Sequence, residues 1–176
     1  FAAAQANDTI TLLAGVTINS RLDIAQNVTI DLNGQTIAET MEDQFGAIYV
    51  KKGATLTIAT TNGGEIITDG GIVIGNYGTV IVNGGTITAG DNEATDVSIY
   101  NFYYQPTWYG TTTINGGTVA RIWNCGVATI VDGEVTDVDN SGAMTITEDA
   151  EVANIILRDG TDAPGIEGAG TLTAAE

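Results

Sequence analysis

The chain has no histidine, a single cysteine and only two prolines among its 176 residues. Without histidine it lacks the commonest general base of enzymes and cannot build a Ser-His or Cys-His nucleophile. Cys125 has no partner for a disulfide within the chain, and no CxxC or Cys/His cluster indicates a zinc site. From these absences we predict a protein that is not an enzyme, with no catalytic residues, no metal site and no cofactor.

Basic residues are also scarce. Five lysines and arginines stand against 22 acidic residues, which gives a formal net charge of −17. A field of that sign repels phosphate groups, so nucleic acid and anionic membranes are not expected as partners. No apolar run approaches the ~18 residues that a membrane-spanning helix needs.

The abundant residues favour β-structure. Apolar residues make up 43% of the chain, and glycine accounts for 23 positions. The apolar residues are mainly Val, Ile, Leu and Ala, which suit strands, and the glycines suit many tight turns between them. A chain of this length and apolar content fits one buried core, so residues 1–176 are predicted to form a single all-β domain.

A sequence repeat organises the predicted strands. Each copy has a glycine, an alternating apolar strand, a turn of the Asn-Gly-Gly or Asp-Gly type and a second short strand. The clearest copies are NYGTVIVNGGTI (76–87), WYGTTTINGGTV (108–119), NCGVATIVDGEV (124–135) and NSGAMTITEDAEV (140–152). Their glycines, together with an upstream one, are Gly53, Gly78, Gly110, Gly126 and Gly142, and the last three are evenly spaced. With weaker copies at 8–18 and 28–37, the repeat predicts about seven coils.

Apolar positions of successive copies align in columns. These are Leu32, Val82, Ile114 and Ile130; two residues earlier Ile30, Val80, Thr112 and Ala128; after the turn Ile37, Ile66, Ile87, Val119, Val135 and Val152; and three residues later Ile122, Val138 and Ile155. Alternation with a period of two puts each column on one face of its strands, so stacked coils would share one elongated core. This favours a parallel β-helix, or β-solenoid, over a sandwich of hairpins, because hairpins need no column that recurs at the interval of the repeat.

The segments DTITLLAGVTI (8–18), VTIDLNGQTI (28–37) and GTVIVNGGTIT (78–88) resemble right-handed parallel β-helix modules, similar in fold to pectate lyases. Such modules occur in secreted bacterial surface proteins and in bacteriophage virion proteins. The resemblance covers nearly the whole chain. It implies a right-handed parallel β-helix located on a virion, outside the cell or at the cell surface. Its motifs report architecture rather than chemistry.

Both ends and one insertion depart from the repeat. Residues 1–7 (FAAAQAN) could form a short N-terminal capping helix, since an open solenoid leaves unpaired backbone at its ends. Residues 159–176 are predicted to form a loop and one last strand. The coil from Gly78 is twice as long as the next, and the surplus forms an acidic and aromatic insertion, residues 91–109. Insertions in solenoids project from one face, where binding surfaces are often built.

The candidate binding residues lie in this insertion. Six of the eleven aromatic residues fall within IYNFYYQPTWYG (99–110), namely Tyr100, Phe102, Tyr103, Tyr104, Trp108 and Tyr109. The segment WYG matches the entry to a normal coil, whereas Val97 and Ile99 are expected to point inward. Three interpretations of the outward rings remain open, which are a protein interface, a platform for a glycan and local packing of the insertion.

Other side chains are weaker candidates. Glu134 and Glu151 share a column one coil apart, ~4.8 Å, and two solvated carboxylates are the simplest interpretation of that pair. Arg121 and Asp137 share another outward column and should form a surface ion pair. Several Thr-x-Thr pairs raise the question of ice binding, but they lie partly before and partly after the turn. We therefore expect no single threonine ladder.

Two functional hypotheses follow. The first is a non-enzymatic structural or adhesive module displayed on a virion, as a decoration, fibre or tail component, or on a bacterial cell surface. It would contact other proteins of a larger assembly, as a homo-oligomer or within a virion or surface lattice. The second is a carbohydrate-binding or polysaccharide-degrading β-helix that uses the aromatic insertion. Exposed rings flanking a groove with carboxylates would favour the glycan, and rings buried against another chain would favour assembly.

Overall fold

The structure, a computed structural model, describes residues 4–40, 45–90, 96–159 and 171–175. Within these ranges there are strands and turns and no helix. The strands are β1 (Asp8–Thr11), β2 (Val16–Ile18), β3 (Leu22–Ile24), β4 (Val28–Asp31), β5 (Thr36–Glu39), β6 (Ile48–Val50), β7 (Thr55–Ala59), β8 (Glu65–Thr68), β9 (Ile72–Asn76), β10 (Thr79–Ala89), β11 (Val97–Asn101), β12 (Tyr103–Gln105), β13 (Trp108–Tyr109), β14 (Thr111–Asn124), β15 (Val127–Asn140), β16 (Ala143–Thr147), β17 (Ala150–Leu157) and β18 (Thr171–Ala175).

Parallel pairing between coils builds three faces. The first face consists of β1, β4, β7, β10, β14, β15, β16 and β18 in that order. The second face consists of β2, β5, β8 and later parts of β10, β14, β15 and β17. The third face consists of β3, β6, β9, β11 and the ends of β14, β15 and β17. This arrangement confirms the prediction of an all-β parallel solenoid. The third face contains seven stacked strands, from β3 to β17, and we call each one a level, numbered in that order.

The inward columns form the core largely as the repeat predicted. The column from Ile37 to Val152 and the column from Ile122 to Ile155 are in register throughout. On the first face one alignment was wrong, because Ile30 rather than Leu32 pairs into the column of Ile58 and Val82. A shift of two residues leaves the same side chains on the inner face. Ile30 and Leu32 are accordingly both fully buried.

A stack of glycines forms the corner between the third face and the first. The residue after each glycine lies one level above the glycine of the previous coil, and the N–H of Val127 donates to the carbonyl of Gly110 at 3.0 Å. A Cβ atom on Gly126 would overlap that same carbonyl oxygen. In the upstream coil the equivalent acceptor is Ala54 rather than Gly53, since the N–H of Thr79 donates to Ala54 at 2.9 Å. The predicted placement of Gly53 in this column was therefore wrong.

Four buried asparagines form a ladder just before the glycine corner. Nδ2 of Asn76 donates to Oδ1 of Asn101 at 2.9 Å, Asn101 donates to Asn124 at 3.0 Å, and Asn124 donates to Asn140 at 2.6 Å. Elsewhere the same column is apolar, with Val50 before the ladder and Leu157 after it. Buried amides need partners, and the bonds between successive asparagines form only when the coils are stacked in this register. The ladder thus fixes the level of each coil.

The described residues near the two ends of the chain can be compared with the predicted cap and the predicted last strand. Residues 4–7, the described part of the predicted capping helix, form a turn and no helix. The N–H of Asp8 donates to the carbonyl of Gln5 at 3.1 Å, and Asn7 has a φ of 70°. Residues 1–3, as well as 160–170 and 176, lie outside the described ranges. The predicted last strand is present as β18, which pairs with β16.

Candidate functional site

Aromatic side chains gather on the third face and the loops that border it. Tyr49, Tyr100 and Trp123 lie in one outward column of this face. Phe45 precedes β6, while Tyr77 and Phe102 follow β9 and β11 directly, and four more rings belong to the segment 103–109. Ten of the eleven aromatic residues are therefore found here, and the eleventh, Phe1, lies outside the described ranges. We call this surface the aromatic face. It consists of the third face, the loop residues that border its strands, and residues 103–109.

A hairpin adds four of these rings. Strands β12 and β13 pair antiparallel, with Tyr103 opposite Tyr109 and Gln105 opposite Trp108. The hairpin is inserted at a coil corner, because the N–H of Gly110 donates to the carbonyl of Phe102 at 2.9 Å. Phe102 thereby takes the position between the ladder asparagine and the corner glycine.

The hairpin revises two predictions. WYG was interpreted as the entry to a coil, but Trp108 and Tyr109 form the returning strand of the hairpin, and only Gly110 belongs to the corner. The insertion predicted at 91–109 is interrupted by β11, a regular strand of the third face whose Val97 and Ile99 point inward and are buried. Residues 91–95 of that insertion lie outside the described ranges.

The rings stack on one another across several coils. The ring centroids of Tyr77 and Phe102 are 4.6 Å apart, those of Phe102 and Tyr100 are 4.1 Å apart, and those of Tyr100 and Trp123 are 5.0 Å apart. Trp108 of the hairpin meets Tyr77 at 5.8 Å and Tyr104 at 4.9 Å. Pairs of this kind contribute ~0.5–1.5 kcal/mol each beyond the area they bury. The stack therefore holds the hairpin against the rod.

A glycine in the outward column makes room for this stack. Gly75 interrupts the outward column between Tyr49 and Tyr100. A Cβ atom at Gly75 would overlap the carbonyl oxygen of Phe45 and lie 3.1 Å from the ring of Phe102. Only glycine lets the Phe45 backbone and the Phe102 ring close over the column here.

Every basic residue of the chain also lies on or beside the third face. Arg21 precedes β3, Lys51 and Lys52 follow β6, Arg121 lies in β14, and Arg158 follows β17. The guanidinium of Arg21 lies 4.8 Å from the centroid of the Tyr49 ring, and Nζ of Lys52 lies 4.9 Å from that of Trp108. The aromatic face thus carries all the positively charged side chains of a strongly acidic protein.

Most of these cations are paired within the face. Arg21 and Lys51 both contact Asp23, at 2.9 and 2.8 Å, and Arg158 contacts Asp139 at 2.5 Å. Hydrogen bonding to Lys51 is the main cause that lowers the pKa of Asp23. In the part of the chain that the structure describes, no carboxylate pairs with Lys52.

Burial also affects one phenol of the stack. Desolvation raises the pKa of Tyr77 above the usual value of 10.0, and the neighbouring Tyr49 and Tyr104 contribute in the same direction. The indole N–H groups of Trp108 and Trp123 are buried and donate to no acceptor among the described residues. Ring packing, rather than hydrogen bonding, therefore positions both tryptophans.

The six residues proposed from the sequence thus come together, although the site is larger than predicted. Tyr100, Phe102, Tyr104 and Trp108 belong to the ring stack, and Tyr103 and Tyr109 pair across the hairpin. The residues that were missed are Phe45, Tyr49, Tyr77, Trp123, Arg21 and Lys52. One signal could have found Trp123, since it directly precedes a ladder asparagine just as Tyr100 does.

The carboxylate pairs lie where the repeat placed them. Glu134 and Glu151 are partners on adjacent coils, and both are exposed. Arg121 and Asp137 are also partners and form an ion pair of 3.3 Å. Among the described residues, no group of three or more cysteine and acidic side chains is arranged to hold a metal ion. The same residues include no helix long and apolar enough to cross a membrane.

The first face presents small hydroxyl side chains instead of rings. One outward column consists of Thr9, Thr29, Thr57, Ile81, Thr113, Thr129 and Thr145. Ile81 interrupts this column between Thr57 and Thr113, and the Thr-x-Thr pairs of the sequence do not all join it, so they form no single ladder, as expected. Thr86 and Thr88 lie apart from it, on the second face.

Comparison with known proteins gives no matching family model, no matching curated protein and no matching solved structure.

Proposed function

We propose that this chain is a non-enzymatic structural or adhesive module that contacts another protein through its aromatic face. The observation that carries the proposal is the gathering of ten aromatic and all five basic residues on one side of a chain with a net charge of −17. Aromatic residues and arginine are the types enriched at protein interfaces, where they supply most of the binding energy.

The core of the rod does not require these rings. Ile99 and Ile122 fill the interior beneath the stack and are fully buried, whereas Tyr100 and Trp123 point outward from the same strands. Tyr104 remains 59% exposed and Phe45 49% exposed. A rod that acted by shape alone would gain nothing from exposing such rings to water. A surface that binds a partner would gain the free energy of burying them.

The ring geometry favours a protein partner over a glycan. Sugars bind to the open faces of aromatic rings, but the faces of Phe102 and Tyr100 are occupied by neighbouring rings at 4.1 to 5.0 Å. Ring edges are what the stack offers to the outside. Side chains of a protein pack readily on such edges, since aromatic pairs prefer edge-to-face or offset contact. Carbohydrate recognition stays as the alternative, carried by Tyr104 and the hairpin.

We infer the setting of this module from its architecture and its charge. The resemblance to pectate-lyase-like β-helices of bacteriophage virions and bacterial surfaces supports a decoration, fibre, tail or cell-surface component. A rod whose other faces carry uncompensated acid suits dense display, because like charge opposes edge-to-edge association.

A photo-crosslinking residue placed at Tyr104 tests the proposal. We expect p-benzoylphenylalanine at this position to form adducts with polypeptide in extracts of the particle or cell that produces the chain. The same residue at Thr129, on the first face, is the matched control and should form far fewer adducts. Adducts with carbohydrate would favour the alternative, and a failure to crosslink to anything would overturn the proposal.

A further inference from the structure

We propose that Asn62-Gly63 is a site of spontaneous covalent modification, at which the folded chain deamidates faster than at its other Asn-Gly pairs. The site lies at the corner between the first face and the second. This corner is not part of the aromatic face, so the inference stands apart from the proposed function.

An asparagine that precedes glycine can lose its side-chain amide without an enzyme. The backbone nitrogen of the glycine gives its proton to a base in the solvent and bonds to Cγ of the asparagine. The bond from Cγ to Nδ2 then breaks, and Nδ2 takes up a proton and leaves as ammonia. Water opens the resulting succinimide ring at either carbonyl group, which gives aspartate or isoaspartate. Glycine favours ring closure because no Cβ atom shields its nitrogen.

The four Asn-Gly pairs of the chain lie at the same corner, so the structure allows them to be compared. Asn33-Gly34 lies between β4 and β5, and Asn62-Gly63 lies between β7 and β8. Asn83-Gly84 belongs to β10, and Asn115-Gly116 belongs to β14. Since the reacting groups are identical, the rates should differ according to how easily each side chain reaches the following nitrogen.

Hydrogen bonds hold Asn33 at both ends of its side-chain amide. Its Nδ2 donates to the carbonyl of Leu12 at 3.0 Å, and its Oδ1 accepts from Nδ2 of Asn62 at 2.8 Å. The N–H of Gly34, the group that would attack, donates to the carbonyl of Gly63 at 2.8 Å. Ring closure at Asn33 would break these bonds, so the fold protects this pair.

The sheet holds the two pairs that lie within long strands. Asn83 and Asn115 are exposed, but Asn83 is the register partner of Gly116, and Nδ2 of Asn115 donates to Oδ1 of Asn83 at 2.9 Å. Gly84 is buried, and a Cβ atom there would lie 2.8 Å from Cγ2 of Thr60. Ring closure in these strands would require backbone to move out of the sheet.

Asn62-Gly63 is the open pair. Both residues are exposed and lie outside the strands, and a Cβ atom on Gly63 would meet no heavy atom within 4 Å apart from its chain neighbours. The carbonyl of Gly63 accepts from Gly34 and from the hydroxyl of Thr60, but its N–H donates to no acceptor among the described residues. In the same part of the chain, the Asn62 side chain makes one hydrogen bond, to Asn33. The nitrogen and the side-chain amide can therefore approach each other.

A later coil shows that this corner permits the approach. Asp132-Gly133 replaces the Asn-Gly pair there, and Asp132 is the register partner of Asn115. The N–H of Gly133 donates to Oδ1 of Asp132 at 2.6 Å. Because Oδ1 is bonded to Cγ, the glycine nitrogen lies beside the atom that it would attack in an asparagine.

Deamidation should weaken the contact between the second and third coils. A carboxylate at position 62 has no hydrogen to donate to Asn33. It also adds negative charge near Asp31, which accepts from the N–H and the hydroxyl of Thr61 at 3.0 and 2.8 Å. The Thr61 hydroxyl is the main cause that lowers the pKa of Asp31, and a second carboxylate nearby opposes that effect. The modified chain should therefore melt at a lower temperature.

Incubation of the folded chain in mildly alkaline buffer, followed by peptide mapping with tandem mass spectrometry, measures the rate at each pair. Replacement of the amide NH₂ by OH raises the mass, and fragment ions assign the change to a residue. We expect Asn62 to deamidate about tenfold or more faster than Asn33, Asn83 and Asn115. In guanidinium chloride the four rates should agree within about threefold, since only fluctuating local structure remains in the unfolded chain.

Two substitutions test the consequence for stability. Asn62→Gln keeps an amide but removes the Asn-Gly pair, so it should prevent the mass change at this position. It should also prevent the fall in melting temperature that incubation causes. Asn62→Asp carries the charge of the product and should melt at a lower temperature than the unmodified chain without any incubation.

Equal rates at Asn62 and Asn33 in the folded chain would overturn the inference, because the fold would then not distinguish an open pair from a held one. Absence of product at Asn62 after a time in which the unfolded chain reacts fully would overturn it as well. If incubation lowers the melting temperature of Asn62→Gln as much as that of the unsubstituted chain, the weakening does not arise at this corner.

Discussion

The first and third faces share the long strands β14 and β15 but present different surfaces. In β14 the inward residues Ile114 on the first face and Ile122 on the third are both fully buried. The outward residue of the first face is Thr113, in a column of threonines, while that of the third is Trp123, in a stack of rings. The inward columns thus determine the fold, and the outward columns are left free to carry function.

The hairpin extends this contrast without disturbing the core. The ladder amide of Asn101 and the corner backbone of Gly110 keep their hydrogen bonds on either side of the insertion. Phe102, between them, donates its N–H to the carbonyl of Asn76 at 3.0 Å. Because the hydrogen bonds of the corner are made on either side of the hairpin, a solenoid can gain a hairpin here at little expense in stability.

The substitution with the largest expected effect lies at the corner that the two faces share. Gly126→Ala puts a Cβ atom into the carbonyl oxygen of Gly110, at the corner that joins the third face to the first. We expect a loss of about 4 kcal/mol or more in the free energy of unfolding, measured by urea denaturation. Gly15→Ala is the control, since its Cβ would meet nothing nearer than 3.5 Å. Similar urea midpoints for the two variants would contradict this account of the corner.

The asparagine ladder comes next in size. Asn124→Ala removes the acceptor of Asn101 and the donor to Asn140 inside the core. We expect a loss of about 2–4 kcal/mol in unfolding free energy, because the buried amides of Asn101 and Asn140 each lose a hydrogen bond. Asn115→Ala on the first face removes one hydrogen bond, from the Asn115 side-chain amide to Oδ1 of Asn83 at 2.9 Å. Both of those residues are exposed. That control should lose less than about 1 kcal/mol.

The two outward columns can be compared directly. Trp123→Ala removes a half-buried ring that stacks on Tyr100 at 5.0 Å, and we expect a loss of about 1–3 kcal/mol in unfolding free energy. Thr129→Ala, from the outward column of the first face in the next coil, should change it by less than about 0.5 kcal/mol. Equal losses in urea denaturation would mean that the rings contribute to stability no more than the threonines do.

The smallest expected effect distinguishes an acid of the third face from an acid of the first. The pKa of Asp23 is lowered mainly by its hydrogen bond to Lys51, and that of Asp31 mainly by its hydrogen bond to the Thr61 hydroxyl. A lowered pKa stabilises the fold above the unfolded value of 3.8. That stabilisation is lost as pH falls through the folded value, so thermal stability should decline slightly below about pH 4.

Salt should separate the two acids. At ~1 M salt the Debye length is ~3 Å, so the contribution of Asp23, which depends on cations, should shrink, while that of Asp31 should persist. Melting temperatures of Asp23→Asn and Asp31→Asn between pH 3 and 5, at low and high salt, measure this. An equal response of both variants to salt would contradict the different causes assigned to their pKa values.

Much of the fold could be predicted because the repeat is local. The glycine of NYG, NCG and NSG and the alternation that follows it specify which side chains turn inward, and the columns ending at Val152 and Ile155 were found in this way. Errors arose where coils differ in length. Alignment by motif chose Leu32 over Ile30 and Gly53 over Ala54, because a motif does not report how many residues a corner takes up.

The aromatic face was harder to predict than the core. Tyr100 and Trp108 stood out because they belong to a segment of the sequence that is crowded with aromatic residues. Tyr49 and Tyr77 lie outside that segment. They join the stack because coils of unequal length place them on neighbouring levels. Nothing in the sequence around Tyr49 or Tyr77 indicates which ring lies on the neighbouring level.

The sequence by itself determined the strands, their inward faces and the acidic character of the rod, because alternation and charge are local properties of a chain. Only the tertiary structure decided the register between unequal coils, since that register depends on backbone hydrogen bonds between residues far apart in sequence. The aromatic face is a product of that register. Ten rings and five cations scattered through most of the chain become one surface because the coils stack level on level.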